Sequence, residues 1–390
     1  IPYTGYTVAI TGTVVGTYNN KNVASATTVT FSGLSLNNSN YSLTIQSPAS
    51  ATITAKALTM SGLSVPTSKI YNGTTTATVS GTPALLAAEA VGAGTTADGK
   101  PYTGDTVAIT GTTVGTYDSK DVTTATSVTF SGLSLNNTNY ALTIQSPASA
   151  TITAKSLTMS GLTVPTSRVY DGTTAATVNG TAALQISEVA GTGTTADGKP
   201  YTGDTVAITG TTVGTYNSKD VASASTVTFS GLSLNNTNYS LTIQSPASAT
   251  ITAKALTMTG LSVPTSKVYN GTTTATVSGT ATLQTTEAAG TGTSSDGTPY
   301  TGDTVAITGT VVGTYNSKDV ASASSVTFSG LSLNNSNYTL TIQSPASATI
   351  TAKALTMSGL SVPTSKIYNG TTAATVSGTA TLQSSEAAGA

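Results

Sequence analysis

The residues able to do chemistry in this chain are few and evenly spaced. Histidine and cysteine are absent, so general acid–base work by imidazole and attack by thiolate are closed to it. Glutamate recurs once per period, at Glu89, Glu188, Glu287 and Glu386. Aspartates fall on turn-like segments: Asp98, Asp105 and Asp121 return as Asp197, Asp204 and Asp220. The expected state of these groups is that of solvated loop carboxylates, and the chain is read as non-enzymatic, with no catalytic, cofactor-binding or metal residues assigned. Carboxylates do suit calcium. However, no Asp-x-Asp-x-Asp cluster or Gly-Gly-x-Gly-x-Asp nonapeptide occurs, and turn capping is the expected use of each Asp. A third chemistry is an internal Lys–Asn or Lys–Asp isopeptide bond, which surface fibres without disulfides sometimes carry. Lys56, Lys69 and their counterparts lie beside apolar runs, with Glu89-type residues as helper acids. A lysine stem along a sheet edge, its ammonium in water, accounts for the same residues. Tyr3, Tyr102, Tyr201 and Tyr300 sit in a Gly/Asp-rich loop. Exposed, they would stack on sugars; a tyrosine covering the end of a sandwich is commoner. Threonine arrays follow strand propensity rather than an ice-binding register. The sequons at Asn37, Asn136, Asn235 and Asn334 read as turns.

The elements that position these groups repeat with the same step. Pro-Tyr-Thr-Gly starts at Pro2, Pro101, Pro200 and Pro299, a period of 99 residues. Tyr71, Tyr170, Tyr269 and Tyr368 keep that step, as do Phe31, Phe130, Phe229 and Phe328. Such a period is too long for a solenoid coil or propeller blade and matches one small domain. Within Ala57–Lys155, Leu58 and Met60, Ala77 and Val79, Val107 and Ile109, Val128 and Phe130, Leu142 and Ile144, and Ile152 alternate with Thr and Ser. About eight period-2 segments separated by turn residues are the signature of an all-β domain. Asn72-Gly73 is a turn signal, and Gly62 and Gly132 interrupt their runs as bulges do. Thr82–Val91 has room for one short helix. Strands hydrophobic on one face pair into a sandwich, with Leu58, Met60, Ile70, Val79, Val107, Ile109, Val128, Phe130, Leu142, Ile144 and Ile152 as its core. Thr151–Thr158 reads as continuous strand between neighbouring domains, leaving little slack. The expected organisation is residues 1–56 as the second half of a repeat, complete repeats at 57–155, 156–254 and 255–353, and a first half at 354–390.

Composition narrows the function. Charged residues make up 7% of the chain and net charge is −1, without the basic footprint that nucleic acids require. No apolar run approaches the roughly 20 residues of a membrane-spanning helix. Hydrophobic content is 37%, below the globular average, yet fixed aromatics and strong alternation set the chain apart from a disordered tract. The chain opens within a period, without Met or a leader, and is expected to be a window of a longer protein.

Lys69-Ile70-Tyr71-Asn72-Gly73-Thr74-Thr75, Gly104-Asp105-Thr106-Val107, Gly115-Thr116-Tyr117-Asp118-Ser119-Lys120-Asp121-Val122, Val128-Thr129-Phe130-Ser131-Gly132-Leu133 and Asn139-Tyr140 occur in that order. This order resembles the YDG repeat and its glycine-rich, mostly-β relatives, found in tandem in large secreted bacterial adhesins. Only Asp171 gives the Tyr-Asp-Gly spelling; Asn72, Asn270 and Asn369 replace it elsewhere, and both residue types suit the turn. The resemblance implies an extracellular or cell-surface location and a structural or adhesive role, with no catalytic residues to carry over. The expected function is therefore a stalk or filament region, a stiff spacer of repeated Ig-like β domains. Its partners would be neighbouring repeats of the same or another copy, head to tail, with no nucleic acid and no membrane insertion. The alternative is a repeated module that binds surface glycans or another surface through avidity.

Overall fold

The computed structural model describes residues 1–389. Every regular element among them is a strand; no helix is present, and so none long and apolar enough to cross a membrane. Two compact units can be distinguished. The first comprises Ile1–Ser160, Ala182–Gly210 and Leu232–Thr242; the second comprises Gly161–Thr181, Thr211–Gly231 and the chain from Ile243 onward.

In the first unit, one full set of strands runs from Lys56 to Thr153: β1 (Lys56–Ser64), β2 (Ser68–Ile70), β3 (Thr76–Ala77), β4 (Ser80–Leu85), β5 (Ile109–Tyr117), β6 (Ser127–Leu135), β7 (Tyr140–Thr143), β8 (Ala148–Ser149) and β9 (Thr151–Thr153). One sheet has the order β7-β1-β4 and a second the order β8-β6-β5-β3, while β2 and β9 form a third pair. Chain-distant segments meet in parallel. Lys56 stands opposite Tyr140 and Leu58 opposite Leu142, and Lys69 stands opposite Ile152. The first two strands of the set, β1 and β2, are thereby tied to β7 and β9 near its end. Met60 and Leu63 of β1 pack on Phe130 of β6, with Val79, Leu85, Ile109 and Leu142 around them. That contact is the inter-sheet core of a sandwich. The Gln145 side chain seals it, accepting the Leu63 N–H at 2.9 Å and donating to the Leu63 carbonyl at 2.8 Å.

The glycine punctuation works through bulges. Gly62 lies in the register shift between Ser61 and Leu63 against β4. The extra residue near Gly132 is on the partner strand, between Gly111 and Val114. Gly132 itself adopts φ +79°, and a Cβ there would strike the Thr112 carbonyl oxygen, so both backbone and space call for glycine.

Two expectations are corrected. Thr82–Val91 is not helical: Leu85 pairs with Met60 in an antiparallel strand, and Pro83 in that segment suits an edge strand better than a helix interior. Ile70 is not core; it is 44% exposed. Period 2 sends one set of side chains inward, and here the inward set is Lys69 and Tyr71. Leu58, Met60, Val128, Phe130 and Ile152 are buried, whereas Val107, Ile109, Leu142 and Ile144 are half-buried. Between repeats, the strands Thr151–Thr153 and Lys155–Thr163 are separated only by Ala154.

The second unit holds the same set between Lys254 and Thr351. Lys254 stands opposite Tyr338, Lys267 opposite Ile350, and Met258 and Leu261 pack on Phe328.

Candidate functional site

Lys56 is the first residue of β1, and the alternation that turns Leu58 and Met60 inward turns it inward too. Its Nζ meets Glu89 Oε1 at 2.6 Å and Asp98 Oδ1 at 3.0 Å, and lies 4.1 Å from the centre of the Tyr102 ring. Lys155 repeats this with Glu188 at 2.7 Å, Asp197 at 2.9 Å and Tyr201 at 4.0 Å. Lys254 does so with Glu287 at 2.5 Å, Asp296 at 2.9 Å and Tyr300 at 4.1 Å. Lys155 and Lys254 are fully buried.

The loops hold these acids with backbone bonds. The peptide N–H of Glu89 donates to the Pro101 carbonyl and the Glu89 carbonyl accepts the Thr103 N–H, which sets the Glu89 side chain beside Tyr102. Asp98 accepts the N–H of Lys100 at Oδ1 (3.0 Å) and of Thr95 at Oδ2 (3.1 Å). Those backbone donors, with Lys56, hold the Asp98 carboxyl well below its usual range. Burial opposes the raising of the Lys155 ammonium, but Glu188 and Asp197 outweigh it and the lysine is raised. Burial likewise works against the charged carboxylate of Asp197, yet the Lys199 N–H and Lys155 bring it down to about 2. Solvated carboxylates and water-facing lysine heads are therefore corrected at Lys56, Glu89 and Asp98: burying a charge is costly unless it is paired, and these three pair with one another.

A second constellation joins consecutive repeats. Tyr71 is fully buried against Tyr201 (5.9 Å between ring centres) and Tyr239 (5.3 Å), both in the next repeat. Its hydroxyl donates to Asp204 Oδ2 at 2.7 Å, and Lys120 donates to the same hydroxyl at 3.2 Å. Burial and the bond to Asp204 push the Tyr71 phenol up to about 12. Beside it, Asn238 accepts the Val122 N–H and donates to Asp121, each at 2.8 Å. In the second unit, Tyr170 stands on Asp303, Tyr300 and Tyr338 in the same way, with Lys219 alongside. Tyr201 serves both constellations, carrying the Lys155 ammonium and the Tyr71 ring.

The aspartates singled out for calcium are thus spent separately: Asp98 on Lys56, Asp105 on the Tyr140 hydroxyl at 2.7 Å, and Asp121 on Lys120 and Asn238. Asn136, on the bend after β6, accepts the N–H of the sequence-distant Ala108 at 2.8 Å. Tyr201 and Tyr300 are 2% exposed, which removes them as sugar platforms; Tyr3 is exposed and Tyr102 half-buried. Lys69 has no carboxylate partner: its Nζ bonds to Asn72 Oδ1 and the Thr74 and Thr76 carbonyls. Sequence reasoning did not connect Lys56 to Asp98, nor Tyr71 to Asp204. In a near-perfect repeat every position recurs, so recurrence marks no residue above its neighbours.

No curated protein and no solved structure matches the chain. A family model described as YDG domain matches residues 54–150, 153–249 and 252–348. With three consecutive matches over most of its length, the chain belongs to the YDG domain family.

Proposed function

We propose that this chain is a structural spacer, a stalk or filament region of a bacterial extracellular adhesin or matrix fibre, and that its role is mechanical and not catalytic. One observation supports this reading above the others. The fully buried Tyr71 of one repeat is seated among Tyr201, Asp204 and Tyr239 of the next, so consecutive domains interlock instead of hanging on a loose linker. Interlocked domains in series transmit load and resist bending, with contacts confined to neighbours.

The reading includes head-to-tail partners. Tyr368, at the repeat position of Tyr71, is 92% exposed. Tyr102, Asp105 and Tyr140, the repeat equivalents of Tyr201, Asp204 and Tyr239, border an open cavity of about 280 Å³. Seating Tyr368 of one copy on Asp105 of a second reproduces the internal junction. The reading includes an extracellular location, which the resemblance to secreted repeats supports, and neither nucleic acid nor a membrane enters this role.

The test is electron microscopy of the chain, with the length measured as repeats are added or removed. Stepwise extension on the order of 35 Å per repeat is expected for domains of this size. Compact particles, or a freely jointed chain, would rule the spacer out. The rival, a repeated glycan-binding module, predicts binding on a glycan array that strengthens with repeat number; a bare spacer is silent.

A further inference from the structure

We propose that Lys155 and Asp197 condense to a side-chain amide, an isopeptide bond, with Glu188 carrying the protons, and that Lys56–Asp98 and Lys254–Asp296 are the same site in the flanking repeats. The proposal stands apart from the spacer reading: it concerns the chemistry within each repeat, whatever the chain does.

The geometry is that of reactants already assembled. Lys155 Nζ is 2.9 Å from Asp197 Oδ1 and 2.7 Å from Glu188 Oε1. Glu188 Oε2 also faces Gly193 together with Asp197 Oδ2, which sets the two carboxylates side by side. One carboxyl group therefore bonds the amine and stands beside the acid it would join. Lys155 opens a nine-residue strand, and Asp197 is fixed by the Lys199 and Thr194 N–H groups at 3.0 and 3.2 Å. Positioned groups of this kind react at high effective concentration. The Tyr201 ring covers the ammonium at 4.0 Å, and Lys155 has no solvent exposure, which favours loss of water over hydrolysis.

The step balances without any other reagent. Glu188 passes one proton from the Lys155 ammonium to Asp197 Oδ2, leaving a neutral amine and a neutral acid. The nitrogen lone pair attacks Asp197 Cγ and forms the C–N bond. Glu188 moves a second proton from nitrogen to Oδ2, the Cγ–Oδ2 bond breaks, and one water leaves. Oδ1 remains as the amide carbonyl, still accepting the Lys199 N–H, and Glu188 ends as it began. Before the step, one ammonium and two carboxylates are held in a nearly dry site, each at a desolvation cost. Condensation removes one charge of each sign and leaves Glu188 to accept the new amide N–H. Lys69, Lys267 and Lys366 bond to asparagine side chains and backbone carbonyls, their fourth counterpart is Arg168, paired with Asp171, and all four fall outside the proposal.

Denaturing intact-mass spectrometry of the purified chain decides the matter. Each bond removes one water, about 18 Da, so three bonds lower the mass by about 54 Da. Digestion should yield a branched peptide joining Lys155 to Asp197. Glu188→Gln should restore about 18 Da and abolish only that branch. Retention of the bond in E188Q would overturn the role given to Glu188. The wild-type mass needs no variant to fold: the full calculated mass after prolonged incubation of the folded chain, with no branched peptide, overturns the proposal. Force spectroscopy gives an independent reading. A bonded repeat should release only the chain outside the Lys155–Asp197 loop, whereas Lys155→Arg should release the whole repeat.

Discussion

Tyr71 and Tyr239 meet edge to face, 5.3 Å between ring centres and 79° between planes, and both hydroxyls donate to the same oxygen of Asp204 at 2.7 Å. Their repeats are therefore joined by one carboxylate as well as by a ring contact. Such shared acceptors are strongly coupled, because each phenol helps hold the anion that the other needs.

Removing one hydroxyl tests that coupling. Tyr71→Phe keeps the ring and should cost about 1.5–3 kcal/mol, the range for a hydrogen bond to a charged group. Tyr71→Ala also empties the seat between Tyr201 and Tyr239 and should cost about 3–5 kcal/mol. In a double-mutant cycle with Tyr239→Phe, read by chemical denaturation, the two losses should not add. Additive losses would mean that the two phenols bind Asp204 independently.

The turn that presents Tyr71 has no room for a side chain. Gly73 adopts φ +75°, and a Cβ there would come within 2.7 Å of the Ala190 Cβ. Gly73→Ala should cost at least about 1 kcal/mol for the left-handed backbone alone, with the clash added. Gly172 has the same surroundings in the second unit, φ +77° with Ala289 at 2.8 Å, so Gly172→Ala should behave alike. A neutral Gly73→Ala in thermal unfolding would contradict the close approach of this turn to Ala190.

Alternation told which residues share a face, and so Leu58, Met60, Val128, Phe130 and Ile152 were legible as core. It could not tell which strand lies beside which. The parallel pairing of Lys56–Thr59 with Tyr140–Thr143 joins segments far apart in sequence, with no local turn to announce it. Nor could it choose the phase at Lys69-Ile70-Tyr71. The lysine head finds inward acceptors and the tyrosine a buried acid, so the aliphatic residue between them is left outside. The bonding site was half legible: Lys56 and Glu89 stood out by type, but Asp98 looked like any turn aspartate until the loop brought it to the lysine.

The phase correction can be checked by a matched pair of truncations. Phe130 is 7% exposed among Met60, Leu63 and their neighbours, and Phe130→Ala should cost about 3–5 kcal/mol. Ile70→Ala, at an exposed strand position, should stay within about 0.5 kcal/mol. Chemical denaturation of both variants should separate them clearly; similar losses would return Ile70 to the core and undo the inward placement of Lys69 and Tyr71.

The ionised groups predict a stability profile with two flanks. Tyr71 titrates near 12 in the folded chain against an ordinary 10.0, because burial and Asp204 both favour the neutral phenol. A raised folded value means that the folded state holds its proton more tightly, so this contribution is complete below pH 10.0 and is lost as the pH rises toward 12. Lys155, also raised, acts in the same direction. Asp197 and Asp296 are depressed from 3.8 to about 2. Their contribution is complete above pH 3.8 and is lost as the pH falls through about 2. Urea midpoints should therefore hold steady between the flanks and drop beyond each. The two flanks also separate the two constellations. Condensation of Lys155 with Asp197 and of Lys254 with Asp296 removes those four charges, which shrinks the acid flank and the lysine share of the alkaline one and leaves the Tyr71 share in place. Tyr71→Phe does the reverse, weakening the alkaline flank alone. A midpoint unchanged between pH 10 and 12 would show that the Tyr71–Asp204 bond does not hold the repeats together.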